Sequence, residues 1–274
     1  MLVFRAMSVA VLCNLSDGLI IGVDSAITVA DAGGIRKVFD DGEKLFQLAA
    51  KIGVATYGLG GLEGRSIGSF IREFELTHPD IGNLPIQEVV EQLRVFFMGV
   101  YVRFAEALYG MPFDQIAADQ KGTLGILVGG FSPNEFLSEA WEIQLPLHAA
   151  ANSARRVCAP GEFLVAWFAT FGPIERYLYG MDRNLLVETS AYVEGLLGRA
   201  MTQEEIDAYA PIRDKYAYRI MLDSMPIQTG IDYVRFLVQL VIQHYRFTST
   251  HPVVGGRAKL GVVTYKQESF RLLE

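Results

Sequence analysis

The chain has 274 residues, of which 51% are hydrophobic and 20% are charged, and its formal net charge is −7. This composition excludes intrinsic disorder, because a chain of this length and hydrophobicity can bury a large core. The acidic balance without a basic stripe argues against a nucleic-acid partner, and no apolar run reaches the ~18 residues that a membrane helix needs.

The N-terminal segment and the cysteines bear on the compartment. Met1–Asn14 contains Arg5 before a short apolar run, which faintly resembles an export signal. The run leads directly into a turn and a second apolar run, so a hairpin explains it better. The two cysteines, Cys13 and Cys158, predict neither a disulfide framework nor a metal cluster. We therefore expect a cytoplasmic protein that does not associate with a membrane.

Two β-hairpins are predicted within the first sixty residues. Ser8–Asn14 and Leu19–Ser25 are β-rich runs, and the Asp17-Gly18 turn between them is a strong hairpin signal. Lys44–Leu48 and Ile52–Leu59 form a second pair around a short turn. The segment between the two hairpins, around Asp31–Gly42, is expected to be a loop.

Two helices are expected next, over Gly61–His78 and Pro85–Tyr109. The second helix has apolar residues at intervals of three and four, the period of an α-helix. Pro85 suits its first turn and Gly110 suits its end. Its apolar stripe is interpreted as core, and the helix is also a candidate for an interface between subunits.

Strands are predicted again at Thr123–Phe131, Glu139–Gln144 and Glu162–Thr170, and a final strand at Ala258–Lys266. An extended helical region, about 173–247, separates the last two. Segregated runs of strands and helices favour a layered α+β fold. No linker or internal repeat is evident, so we expect a single domain over 1–274.

Common catalytic and cofactor motifs are absent from the sequence. It has no P-loop, no dinucleotide-binding GxGxxG after a strand, no HExxH, no paired CxxC and no Gly-x-Ser-x-Gly elbow. The four histidines are scattered. We therefore expect no cofactor and no metal.

The first hairpin and the strands after it carry the informative pattern. Ser8 opens an apolar strand, Gly18 ends the turn, and Asp24-Ser25 ends the second strand. Lys44 precedes a hydrophobic pair, and Gly58 ends a further apolar strand. This order resembles the proteasome β-subunit family, including its bacterial relatives. The resemblance covers residues 8–61 well, and the two helices and the last strand by order only.

The resemblance implies a four-layer αββα sandwich, the fold of N-terminal-nucleophile hydrolases, and four site residues. Ser8 falls on the nucleophile, Asp24 and Lys44 on the family's aspartate and lysine, and Gly58 on its oxyanion-hole glycine. Asp24 lies sixteen residues after Ser8, which is the family spacing, and Lys44 lies twenty residues after Asp24. Lys37 is the competing lysine, but Lys44 keeps the spacing to Gly58.

The implied chemistry needs a free amine on Ser8. A hydroxyl is a weak nucleophile, and an α-amine with a pKa near 7.7–8.0 can take its proton. Residues 1–7 must therefore be removed. The family's helper residues fall on Phe171, His251 and Val254, which bring no matching groups.

Two functions from different classes follow. One is a proteasome-β-like peptidase or amidohydrolase with Ser8 as nucleophile, whose substrate is a peptide or amide. The alternative is a non-catalytic proteasome-like assembly subunit with a degenerate site. A small-amide hydrolase is a third, weaker interpretation. In each case the resemblance implies a homo-oligomer, as a ring or a stack.

Each residue also has a plain structural interpretation. Ser8 could open a strand, Asp24 could cap a turn, and Lys44 could be a solvated lysine at a strand start. The resemblance depends on all three occurring together at near-family spacing.

Overall fold

The computed structural model describes residues 8–31, 34–147, 154–208, 210–248, 254–266 and 269–273. The strands are β1 (Val9–Leu15), β2 (Gly18–Asp24), β3 (Ile27–Asp31), β4 (Gly34–Phe39), β5 (Leu45–Ala49), β6 (Ile52–Gly58), β7 (Gly61–Leu62), β8 (Arg65–Ser66), β9 (Leu124–Gly130), β10 (Glu139–Leu145), β11 (Arg155–Cys158), β12 (Leu164–Ala169), β13 (Ala258–Thr264) and β14 (Arg271–Leu273). The α-helices are α1 (Ile67–Thr77), α2 (Ile86–Tyr109), α3 (Gly172–Tyr179), α4 (Arg183–Leu197), α5 (Gln203–Asp207), α6 (Ala210–Tyr216) and α7 (Ile227–Thr248).

The chain divides into two compact units. The larger comprises Met1–Thr170 with Leu222–Glu274, and the smaller comprises Phe171–Met221. The described strands and the helices α1, α2 and α7 belong to the larger unit, whereas α3 to α6 belong to the smaller, helical unit. The expectation of one domain over 1–274 stays a prediction.

Two five-stranded antiparallel sheets form the centre of the larger unit. The first has the order β12-β1-β2-β13-β14, and the second has the order β11-β10-β9-β6-β5. The short hairpins β3-β4 and β7-β8 make two-stranded sheets of their own. The sequence prediction of an α+β protein with two antiparallel sheets and helices is confirmed.

Alternating side chains of β2 show how the first sheet is covered. Leu19 and Ile21 are fully buried in the cluster between the two sheets. Successive side chains of a strand point to opposite faces. Gly22 therefore lies on the face opposite to Leu19 and Ile21 and faces α7. A Cβ atom there would lie 2.5 Å from Cγ1 of Val234. Glycine at this position therefore allows α7 to pack closely on the sheet.

The second sheet alternates in the same way. Ala55 and Leu127 face the cluster between the sheets, whereas Val54 and Ile126 belong to the core that α1 and α2 cover. Phe97 of α2 is fully buried there, and burying such a side chain contributes about 1.5–3 kcal/mol. Helices thus pack on both sheets of the larger unit. In the described ranges, no helix combines the length and apolar character needed to cross a membrane.

Two local predictions differ from the structure. The helix expected from Gly61 begins only at Ile67, because Glu63 and Gly64 adopt positive φ angles of 49° and 76° and turn the chain into the β7-β8 hairpin. Ser66 then caps the helix by accepting a hydrogen bond from the N–H of Ser69. The segment expected to be a loop around Asp31–Gly42 contains most of the β3-β4 hairpin.

The extended helical region predicted for about 173–247 is interrupted. Gly180 and Gly198 adopt left-handed φ angles of 77° and 66° and end α3 and α4. Both glycines are visible in the sequence, but a helical period alone does not show which ones stop a helix.

Candidate active site

Ser8 lies at the entrance to β1 and is only 2% exposed. Its carbonyl oxygen accepts a hydrogen bond of 2.9 Å from the backbone N–H of Thr170, just beyond the paired strand β12. The next residue, Val9, donates its N–H to Oδ1 of Asp24 at 3.1 Å. Both polar atoms of the peptide group between Ser8 and Val9 are therefore held by hydrogen bonds.

Asp24 ends β2, the antiparallel neighbour of β1, so it lies beside the start of that strand. The residue is fully buried. Besides Val9, its carboxylate accepts from the N–H groups of Ala26 and Gly255, each at 3.3 Å, and from Nζ of Lys44 at 2.9 Å. Four donors thus satisfy a carboxylate whose burial would otherwise be costly.

Lys44 lies between the other two side chains. Its Nζ donates to Oγ of Ser8 at 3.0 Å and to Oδ1 of Asp24 at 2.9 Å. It precedes β5, and its carbonyl oxygen accepts from the N–H of Thr56 in β6 at 2.8 Å. The residue is 6% exposed. Lys44 is therefore a buried lysine, paired with Asp24 and in direct contact with the candidate nucleophile, and not a solvated lysine at a strand start.

Burial and charge act in opposite directions on this pair. Burial raises the pKa of Asp24, and the contact with Lys44 acts to lower it. Burial lowers the pKa of Lys44, and the contact with Asp24 acts to raise it. A cation at this distance favours the ionised form of a hydroxyl.

Gly58 ends β6, two residues after Thr56 and so about 7 Å further along the strand that carries the contact with Lys44. Its φ angle of 88° is in the left-handed region, and a Cβ atom would lie 2.1 Å from the carbonyl oxygen of Thr123. Glycine is therefore required here by the backbone. The structure joins Ser8, Asp24 and Lys44 by direct hydrogen bonds and places Gly58 on the neighbouring strand.

A supporting shell around Asp24 was not predicted from the sequence. The hydroxyl of Ser25 donates to the carbonyl oxygen of Asp40. The hydroxyl oxygen of Ser25 in turn accepts a hydrogen bond of 2.8 Å from the backbone N–H of Arg257. The carbonyl of Ser25 accepts the N–H of Gly42 at 2.7 Å. Ser25 therefore ties the segment before Lys44 to the segment before β13. The Asp24-Ser25 pair was visible in the sequence, but its partners were not.

The positions assigned to the family's helper residues, and the competing lysine, lie partly within and partly outside the described residues. Phe171 is the N-cap residue of α3 in the helical unit and has no hydroxyl, whereas its neighbour Thr170 contacts Ser8. Val254 is fully buried. His251 lies outside the described residues. The side chain of the competing lysine, Lys37, is likewise outside the described part of the chain.

Two comparisons complete the description of the site. No protein-family model matches the chain. A search of curated proteins also finds no match.

Cys13 and Cys158 are both free and buried, and no group of three or more metal-binding side chains occurs within the described residues.

Proposed function

We propose that this chain is a proteasome-β-like peptidase or amidohydrolase whose nucleophile is the hydroxyl of Ser8. The observation that carries the proposal is Nζ of Lys44, which lies 3.0 Å from Oγ of Ser8 and 2.9 Å from Oδ1 of Asp24. Two antiparallel sheets with helices packed on both support an N-terminal-nucleophile hydrolase fold with αββα layers.

The reaction proceeds through the amine of Ser8, which becomes free when Met1–Met7 are removed. This amine takes the proton from Oγ as Oγ bonds to the substrate carbonyl carbon. The backbone N–H of Gly58 stabilises the oxyanion. The amine then returns the proton to the leaving nitrogen as the amide bond breaks, and water hydrolyses the resulting ester.

Lys44 and Asp24 have electrostatic roles in this scheme. The ammonium of Lys44 stabilises negative charge on Oγ as it develops. Asp24 holds that ammonium in place, and its three backbone donors hold the carboxylate rigid. Because the groups are already arranged, little reorganisation is needed during the reaction.

Intact mass and peptide hydrolysis, measured together, test this proposal. The purified chain should lose the mass of Met1–Met7 and then cleave a peptidyl anilide. Ser8→Ala should keep its full mass and show no hydrolysis. Ser16→Ala, which removes an exposed serine in the β1-β2 turn, should behave like the unaltered chain. Full mass under all conditions, together with no hydrolysis by a chain that begins at Ser8, would refute the proposal.

A non-catalytic proteasome-like subunit is the second candidate. It is favoured by Phe171, which has no hydroxyl where the family pattern has a helper serine. On this interpretation Lys44 and Asp24 persist as a structural ion pair. The chain that begins at Ser8 would then be folded and inactive, with Lys44 still required for stability.

A further inference from the structure

Tyr57 precedes Gly58 at the end of β6, and the hydrolase mechanism gives it no role. The residue is 4% exposed and belongs to the cluster between the two sheets. Its ring stacks on that of Phe168 in β12, with the ring centroids 6.1 Å apart. Phe168 pairs with Ala10, which follows Ser8 by two residues. An aromatic contact between the two sheets therefore lies beside the strand end of Gly58 and near the start of the strand that carries the candidate nucleophile.

Two features hold the ring of Tyr57 in place. The first is Gly125 in the paired strand β9, where a Cβ atom would lie 1.9 Å from Cζ of Tyr57. The ring can therefore lie against this strand only because the residue is glycine. The second is a hydrogen bond from the hydroxyl of Tyr57 to Oε1 of Glu142 in β10. Burial and the neighbouring carboxylate raise the pKa of Tyr57, so its hydroxyl stays protonated and donates.

Glu142 is a buried carboxylate that the hydrolase mechanism does not use. The residue is 5% exposed, and its second oxygen, Oε2, accepts from Nε and Nη2 of Arg155 at 2.8 and 2.6 Å. Burying a charged pair carries a desolvation cost, whereas a polar network whose members are all satisfied makes a core rigid. The pair of Glu142 and Arg155 therefore provides a fixed acceptor for the hydroxyl of Tyr57.

The backbone of Tyr57 determines where the N–H of Gly58 points, because that N–H and the carbonyl of Tyr57 belong to one peptide group. Thr56 donates its N–H to the carbonyl oxygen of Lys44 at 2.8 Å. Alternate N–H groups of an antiparallel strand point to the same edge. The N–H of Gly58 therefore points to the edge of β6 on which Lys44 lies, and it is the donor that the hydrolase proposal requires for the oxyanion.

We propose that Tyr57 is a positioning residue that fixes the N–H of Gly58 relative to Oγ of Ser8. The stack on Phe168 ties this N–H to the sheet that carries Ser8, and the bond to Glu142 keeps the ring in one place. The purpose of the N–H rests on the proposed function, whereas the contacts that fix it do not. A displacement of about 1 Å in such a site can lower a rate on the order of 10²-fold.

Steady-state hydrolysis of a peptidyl anilide by chains that begin at Ser8 tests the proposal. Tyr57→Phe keeps the ring and its stack and loses only the hydroxyl, so kcat should fall about tenfold while KM stays within about twofold. An unchanged KM is expected because the N–H of Gly58 acts on the transition state and not on the bound substrate. A folded Tyr57→Phe variant with the kcat of the unaltered chain would overturn the proposal.

Ser138→Ala is the matched control for a merely structural effect. It also removes a buried hydroxyl, which donates to Oδ1 of Asn14 at 2.6 Å. Asn14 lies near the other end of β1, six residues from Ser8. Ser138→Ala should therefore lose stability and keep its kcat. A fall in kcat as large as that of Tyr57→Phe would show that any buried hydrogen bond has this effect, and would overturn the proposal.

Glu142→Gln tests the same network without altering Tyr57, and it decides the matter should Tyr57→Phe misfold. Glutamine keeps an acceptor for the hydroxyl and removes the charge that pairs with Arg155, so kcat should lie between those of Tyr57→Phe and the unaltered chain. In the Tyr57→Phe background, Glu142→Gln should lower kcat little further, because the hydroxyl is what connects Glu142 to Gly58. Losses that simply add would contradict this coupling.

The amide resonance of Gly58 provides a readout that does not need hydrolysis. In a chain labelled with ¹⁵N-glycine, this resonance should move in Glu142→Gln, move much less when Tyr57→Phe is also present, and stay in place in Ser138→Ala. If the unaltered chain that begins at Ser8 does not hydrolyse the anilide, the proposed function fails, and the Gly58 resonance alone decides the positioning role. A resonance that Glu142→Gln leaves in place would overturn that role in an active or an inactive chain.

Discussion

Replacing Lys44 by methionine leaves the Asp24 carboxylate buried without its cation. Removing one partner of a buried ion pair costs about 3–5 kcal/mol. Asp24 would keep three backbone N–H donors, so we expect a loss near the lower end, about 3 kcal/mol. Asp24→Ala removes the acceptor of all three N–H groups and strands the ammonium, so its cost should be nearer 5 kcal/mol.

Urea denaturation followed by tryptophan fluorescence would measure both free energies of unfolding. Lys51→Met is the matched control, because Lys51 is only partly buried and its Nζ donates to the carbonyl oxygen of Tyr265. This control should lose less than about 1 kcal/mol. Equal losses for Lys44→Met and Lys51→Met, or a smaller loss for Asp24→Ala than for Lys44→Met, would refute the reasoning.

The pH dependence of the free energy of unfolding of Lys44→Met follows from the direction of the pKa shifts. Burial already raises the pKa of Asp24, and removing Lys44 removes a contact that lowers it. A carboxyl group with a raised pKa in the folded state contributes stability at low pH that the protein loses as the pH rises through that value. The unaltered chain has this contribution from Asp24 too, but there the lowered pKa of Lys44 opposes it, because that shift makes stability fall as the pH falls. The difference in free energy of unfolding between the unaltered chain and Lys44→Met should therefore be smaller at pH 5 than at pH 8. A larger difference at pH 5 would contradict this.

Two further substitutions test the surroundings of the site by thermal unfolding. Gly58→Ala should cost about 1–3 kcal/mol of stability, because φ of Gly58 is 88° and the new Cβ atom would clash with the carbonyl oxygen of Thr123. Gly64→Ala is the control and should cost less, because Gly64 has a φ of 76° but open space around it. A larger loss for Gly64→Ala than for Gly58→Ala would be evidence against the clash. Tyr57→Phe should cost about 1–3 kcal/mol of stability, because the buried carboxylate of Glu142 loses the hydroxyl of Tyr57 as a donor. Unchanged stability would mean that the hydrogen bond between Tyr57 and Glu142 contributes nothing.

The parts of the site that follow from local sequence were predictable. The Asp17-Gly18 turn fixes the β1-β2 hairpin, and the hairpin register places Asp24 beside the start of β1. Lys44 precedes β5 of the second sheet, so its contact with Ser8 and Asp24 crosses from one sheet to the other. The family resemblance, and not the local sequence, assigned it to the site. Periodicity likewise predicted α2 to within one residue, because its apolar face is long and regular.

Long-range contacts were not predictable in the same way. Gly255 donates to Asp24 across 231 residues of sequence, and a glycine after a loop carries no sign of its acceptor. The late start of α1 depends on a turn at Glu63 that requires a positive φ, for which glutamate is an unusual residue.

Covalent labelling of Ser8 tests the central claim most directly. A chain that begins at Ser8 would be treated with a β-lactone, which acylates activated hydroxyls, and the adduct located by peptide mapping. We expect one equivalent on Ser8, at least tenfold less in Lys44→Met (about 1.4 kcal/mol in the barrier), and little change in Lys51→Met. A folded chain with no adduct on Ser8, or equal labelling of Ser8 in Lys44→Met, would contradict the claim that Lys44 and Asp24 prepare Ser8 as a nucleophile.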